Sequence, residues 1–509
     1  MTMAAQLIAA PRTGRKILTA FLLCVCLAAV LAAAVAPEQL SRAFVGSCAF
    51  AALGVFGLQM AYQASGPRQT NWISVDILFM LGFLIVHFTY PLFWVTGLVP
   101  SDNEIWFSQR VVCFSSALCL AGLAAFALGF NIPADRYSRV QGAALWDVPV
   151  LQKWRAIGTV VFIFGGIATT VWLLLARERL AAGGYVHITE FPYSVRITFL
   201  LSEVLLRLGL LLATVAAAQL TGRWRIGVLL KVGLVLFVGW LLILGDRSAA
   251  AAMGVLALAA YSEYVRRISL KVFVVVTIGG LLLLAVVRLA RHTAEHTVTE
   301  FVRTAKAESH ELTWQQPIMN FGASVKTVFA ATHTIPDQEN YYYGKLQVSS
   351  VAGIIPFSRR FLPPEKGFSS SARVLTDVIN EAGQEWGRGT TIVADLYCDF
   401  GFPGVVSVLF FVGLLCKHIQ QRARASNSIT WAVAHAALIA TMALMPRYAL
   451  ATLVRGVLWP ALAVLLVSWS LGLPRNAALA LRRPIAARPR EPLGTGPARA
   501  VGAAKEALR

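Results

Sequence analysis

Arginines and carboxylates at the ends of apolar runs are the residues whose types and spacing suit chemistry in this chain. Arg247 closes one run in Leu244-Gly245-Asp246-Arg247-Ser248, and Arg447 and Arg455 flank a short link between two others. A guanidinium facing an interior cleft binds phosphate bidentately, because its planar fork matches two phosphate oxygens. At a membrane boundary the same side chain also suits snorkelling to headgroups or, for Arg247, pairing with Asp246. Asp395 and Asp399 are four residues apart, so they share a helix face where another run begins. Beside arginines such acids supply a base next to an anion site, or they pair with the arginines and serve structure alone. Glu203 and Arg207 have the same spacing and read as a structural ion pair.

The elements that hold these residues are apolar. The chain has 509 residues, 57% hydrophobic and only 14% charged, against about 25% charged in soluble domains. Twelve runs are long enough to span a bilayer: 17–36, 43–63, 72–98, 111–130, 157–176, 197–218, 226–245, 248–265, 270–288, 396–416, 429–446 and 450–472. Pro91 predicts a kink or dip in the third. The fold class is therefore an all-α polytopic membrane protein. The net charge of +20 falls mostly in short connections and a tail, which is topology information rather than a nucleic-acid footprint. Arg12, Arg15 and Lys16, then Arg136, Arg139, Lys153 and Arg155, then Arg266, Arg267 and Lys271, and the tail from Arg475 to Arg509 all fall on one side. The positive-inside rule puts that side, with both termini, in the cytoplasm. The seventh and eighth runs are joined only by residues 245–248, and the charge rule favours a hairpin over one long span. The seven cysteines lie in or beside apolar stretches and read as small buried hydrophobes.

This divides the chain into helices one to nine (1–288), a large loop on the far side of the membrane (289–395), helices ten to twelve (396–472) and a basic, Ala/Pro-rich disordered tail (473–509). The loop carries arginines, lysines, tyrosines and four of the eight histidines. Residues 289–340 look helical at first, and 341–390 look irregular. Tyr341, Tyr342 and Tyr343 beside arginines suit sugar binding, with rings stacking on sugar faces, or are an ordinary solvated loop. His292 and Glu295-His296 match an inverted zinc-protease spacing but read as a solvated helix face, so no metal is expected.

In their order and membrane placement these residues resemble the O-antigen polymerase family, the Wzy-type polymerases of oligosaccharide repeat units. The likeness covers roughly residues 190–470. It is carried by Gly245-Asp246-Arg247-Ser248 between a span and a small-residue helix. It is carried also by Tyr343-Gly344, Ile355-Pro356 and Pro364-Glu365-Lys366 in the loop, by Gly401 and Gly404 after an acidic, aromatic helix start, and by Arg455-Gly456. The chain departs from the family pattern in the residues after Ile355-Pro356 and Lys366, and in having Asp395 and Asp399 where Glu and Asn are usual.

The resemblance implies a GT-C-like inverting glycosyltransferase of the bacterial inner membrane, with no cofactor or metal. Its large loop is periplasmic, and its donor and acceptor are undecaprenyl-pyrophosphate-linked glycans. Membrane lipid and a chain-length regulator are the other partners. Arg247, Arg388 and Arg455 are the expected diphosphate contacts. Arg359, Arg360 and Arg373 are expected to hold glycan, with Arg447 and Tyr397 also lining the site. Asp395 leads as base, with Glu385 and His333 behind it. The rival readings are an O-antigen ligase acting on lipid A core and a polysaccharide transporter or flippase. His333 lacks the sequence context expected of the ligase, and the ionisable residues crowd span ends rather than a central path. Arg247→Ala protein that is normally expressed is predicted to lose its polysaccharide ladder on a gel; wild-type chain length would remove Arg247 from the mechanism.

Overall fold

The structure, a computed structural model, describes residues 3–65, 71–98, 109–132, 148–183, 192–221, 228–243, 247–290, 316–352, 361, 371–381, 389–426 and 428–473. Ten helices come first: α1 (Met3–Ala34), α2 (Arg42–Ala64), α3 (Val75–His87), α4 (Thr89–Val95), α5 (Gln109–Asn131), α6 (Val148–Gly183), α7 (Tyr193–Thr221), α8 (Val228–Ile243), α9 (Arg247–Tyr264) and α10 (Leu270–Ala290). Four short helices follow: α11 (Gln316–Gly322), α12 (Lys326–Thr334), α13 (Lys345–Ala352) and α14 (Ser371–Glu381). Three long ones close the chain: α15 (Ile392–Ala425), α16 (Ile429–Leu444) and α17 (Leu450–Ser470). No strand occurs among the described residues.

Each of the twelve apolar runs overlaps a described helix, the third overlapping two. Among the described residues eight helices are long and apolar enough to cross a membrane, and the pair α3/α4 makes a ninth if it is one span. Shorter apolar stretches lie in α8, α9 and α10. The pair α3/α4 bends by 50°. Pro91 explains the place of the bend: it has no N–H to give, and its ring crowds the carbonyl four residues back, at His87. Helices α8 and α9 are separate and pack on each other, as a hairpin requires. Glu203 and Arg207 do form their ion pair within α7. Six of the seven cysteines follow the expected burial, but Cys24 is exposed.

Two large buried clusters dominate the interior among the described residues, beside a small one of Cys26, Ala124 and Ala125. One joins α1–α5, the loop helices and α15; the other joins α6–α9, α16 and α17. Helix α16 stitches them together, with Leu438, Ile439 and Met442 in the first and Val433, Ala436 and Ala437 in the second. Small residues set the tightest contacts, since lipid offers no hydrophobic drive for helices to associate and close backbone approach must supply dispersion. A Cβ on Gly209 would lie 2.4 Å from the Phe162 nitrogen, and one on Gly413 would lie 2.2 Å from the Phe126 carbonyl oxygen.

The end of the bundle away from the loop helices is closed by polar pairs. Asp76 is buried and accepts hydrogen bonds from Gln59 Nε2 at 2.6 Å, Ser74 Oγ at 2.8 Å and Gln63. Glu263, at the end of α9, pairs with Arg424 of α15 at 3.0 Å and accepts from Asn71. Replacing Gly413 with Ala should lower the Tm in detergent by an amount matching about 1–3 kcal/mol, the usual cost of overpacking. Gly54→Ala, at a site with nothing within 4 Å, should leave it unchanged or raised.

Candidate functional site

A break in α15 organises the loop end. Thr391 caps this helix, its Oγ1 accepting from the Ala394 N–H at 3.3 Å, as N-cap threonines do. The helix then kinks at Gly401, whose φ of 63° is left-handed. Pro403 has no N–H for the Asp399 carbonyl, and the kink frees the Cys398 carbonyl as well. Both carbonyls are taken by the loop: the Tyr342 N–H donates to Cys398 O and the Tyr343 N–H to Asp399 O, each at 3.0 Å. Tyr343 and Gly344 are themselves left-handed, with φ of 49° and 86°. The Tyr341 ring closes over Gly401, 2.9 Å from where a Cβ would stand.

The two aspartates complete this joint. Asp399 Oδ1 accepts from the Gly344 and Leu346 N–H groups at 3.1 Å, and Oδ2 accepts from the Gln347 N–H at 2.9 Å. It thus caps the start of α13 from a distant part of the chain, where an anion suits the exposed N–H groups and the dipole. Asp395 has no exposed surface. Its Oδ1 accepts from Ser371 Oγ at 2.5 Å, and its Oδ2 accepts from Gln347 Nε2 at 2.7 Å and the Leu450 N–H at 3.0 Å. Gln347 therefore bridges both carboxylates. Amide groups and a hydroxyl donate to these two acids.

Beside this joint lies a cavity of about 120 Å³. Gly82, Ile85 and Val86 of α3 form one wall, and Ala251, Leu281, Phe321 and the α16–α17 link enclose the rest. Arg447 and Tyr448 supply its polar edge, with the Arg447 guanidinium 5.3 Å from the centre of the Phe321 ring. Ala251 lies one helical turn after Arg247, the first residue of α9.

Of the expected site residues, the structure brings Arg447 to the cavity and Asp395 and Tyr397 to the joint. Tyr397 is buried, donates to the Ile335 carbonyl at 3.2 Å and meets Tyr341 edge-on. His333, half-buried at the end of α12, lies 3.4 Å from Gln338 Nε2. Arg373 of α14 and Arg455 of α17 are exposed and do not line the cavity. Glu385, Arg388, Arg359, Arg360, His292 and His296, and the Arg247 side chain, lie outside what is described. Among the described residues no three metal-ligating side chains come together.

Three groups were not expected. Gln347 and Ser371 carry no local signal, since their partners are far off in sequence. Lys326 is 3% exposed, with Nζ 5.3 Å from the centre of the Tyr90 ring; a lone lysine in Ser-Val-Lys-Thr-Val-Phe was the clue. Helices α13 and α14 also stand where the sequence reads as irregular. Their short length hides them, and the cap of α13 comes from Asp399, more than fifty residues away. Of the three consecutive tyrosines only Tyr343 is open, at 76% exposure.

The fold and this joint define a polytopic helical membrane protein with a helical insert docked at one end. A family model described as O-antigen polysaccharide polymerase Wzy matches residues 19–471. The chain belongs to that family, and polymerisation of polysaccharide repeat units follows as its general activity. No curated protein and no solved structure matches it. Gly401→Ala would force a side chain into a left-handed conformation costing roughly 1–2 kcal/mol and into the Tyr341 ring. Faster hydrogen exchange and proteolysis across residues 341–352 should follow.

Proposed function

We propose that this polymerase joins oligosaccharide repeat units carried on undecaprenyl pyrophosphate, at the loop end of its helical bundle and on the periplasmic face of the inner membrane. The observation that carries this reading is the apolar cavity edged by Arg447, beside the docked loop helices. Apolar walls suit a polyisoprenyl chain, and a guanidinium suits the diphosphate at its head. The opposite end bears Arg266, Arg267, Lys271, Arg422 and Arg424, which supports a cytoplasmic position for it.

In the reaction an acceptor sugar hydroxyl attacks the anomeric carbon of the donor glycan. A new carbon–oxygen bond forms with inversion, the bond to the lipid diphosphate breaks, and the diphosphate leaves with the electron pair. Arginine charge, rather than a divalent ion, stabilises the growing negative charge, a term commonly worth several kcal/mol in a water-poor site. Arg447 is the described member of this set; Arg247, one turn before Ala251, and Arg388 are its proposed companions. Exposed Arg455, Arg373 and Tyr343, with Arg359 and Arg360, serve the glycan.

The hydroxyl proton goes to a base. Asp395 has its oxygens occupied and no exposed surface, so half-buried His333 is the better placed acceptor among the described residues; Glu385 is the other candidate by residue type. O-antigen, capsule and exopolysaccharide products would all come from this same chemistry.

Arg447→Ala should reduce repeat-unit polymerisation by roughly a hundredfold, read as loss of the polysaccharide ladder at normal protein level. Arg447→Lys should restore only part, because an ammonium lacks the bidentate fork. An undiminished ladder in Arg447→Ala overturns the cavity assignment. Loss of the whole chain should leave single repeat units attached to lipid A core; if none are attached, the ligase reading replaces this one.

A further inference from the structure

The carboxylate of Asp395 touches three elements at once. Gln347 belongs to α13, Ser371 opens α14, and Leu450 opens α17 directly after the link that carries Arg447. We propose that Asp395 is a positioning residue that fixes the Arg447 link against the loop helices, so that the diphosphate end of the donor and the glycan-facing loop stay in register. This rests on the reading of Arg447 as the diphosphate contact.

The chemistry of the joint supports it. Leu450 is at the first turn of α17, where backbone N–H groups have no partner within the helix. In a bilayer-spanning bundle such a group must find an acceptor in the protein. Asp395 supplies it and holds the start of α17 to α15. The same oxygen takes Gln347 Nε2, while the Gln347 backbone N–H goes to Asp399. A shift of α13 therefore pulls on both carboxylates, and a shift of Leu450 pulls on Asp395. Arg447 and Leu450 are three residues apart, too few to let the link drift independently. Ser371 adds α14, the helix that bears Arg373.

A positioning role and a base role predict different responses to the same substitution. Asp395→Asn keeps the shape and one acceptor oxygen for Gln347 and Leu450, while Ser371 can turn its hydroxyl to accept from the new amide. Asp395→Leu removes every contact. Gln347→Leu breaks one arm of the joint and leaves the carboxylate in place.

The test uses full-length protein in lipid nanodiscs, with lipid-linked repeat units varied in concentration and pH, and hydrogen exchange followed at residues 345–352 and 450. Asp395→Leu and Gln347→Leu should each raise the KM for donor by about tenfold or more, the scale of one or two lost charge-assisted hydrogen bonds. Asp395→Asn should recover most of that loss. All three should keep the midpoint of the pH–rate profile, and exchange at Leu450 should quicken in Asp395→Leu. If Asp395→Asn is as inactive as Asp395→Leu and one limb of the pH profile disappears, Asp395 is the base and the proposal fails. Unchanged exchange at Leu450 in Asp395→Leu also overturns it. If wild-type protein elongates no lipid-linked repeats, the functional reading fails separately, and the exchange data still judge the joint.

Discussion

The break in α15 at Gly401–Pro403 is the constraint on which the loop end depends. A helix interrupted inside an apolar bundle leaves carbonyl groups that water cannot reach, and each one unpaired costs several kcal/mol. Here the Cys398 and Asp399 carbonyls are answered by the backbone of Tyr342 and Tyr343. The insert is thus bound by main-chain hydrogen bonds that a side-chain substitution cannot easily remove. The dependence is mutual: the kink needs the loop to satisfy its carbonyls, and the loop needs the kink to find acceptors. Asp395 and Asp399, on the turn just before the kink, extend that joint to α13, α14 and α17.

The two ends of the bundle differ in what their polar groups are doing. At the far end Asp76, Glu263 and Arg424 are paired with neighbours on other helices, which ties α2, α3, α9 and α15 together. At the loop end the carboxylates are equally occupied, but an arginine edges an apolar cavity, and histidine, tyrosine and arginine side chains retain exposed surface. The loop end is itself divided by burial. Asp395, Asp399 and Tyr397 are buried among their partners, whereas Tyr343, Arg373 and Arg455 are open and His333 and Arg447 are partly so.

Tight glycine contacts between α6 and α7 and between α5 and α15 give the frame its stiffness. Helices whose backbones touch cannot slide without collision, so the position of α15, and with it the kink, is set by α5 over much of its length. Helix α16 then carries that position into the second cluster and ends at the Arg447 link.

Much of this was legible in the residues themselves. Apolar runs of bilayer length, the ion pair of Glu203 and Arg207, and the bend near Pro91 follow from local composition and spacing, because a helix within a bilayer must satisfy its own backbone. The order of arginines, tyrosines, glycines and acids was enough to point to the polymerase family. The roles of individual acids were not legible. Asp395 and Asp399 look alike in sequence, four apart on one helix face, and either could serve a base or a brace. Only the folded chain brings Gln347, Ser371 and Leu450 to one carboxylate and the α13 amides to the other, since those partners lie 24 to 55 residues away. Hydrogen bonds at that separation leave no local pattern to read; they exist only once the helices have packed.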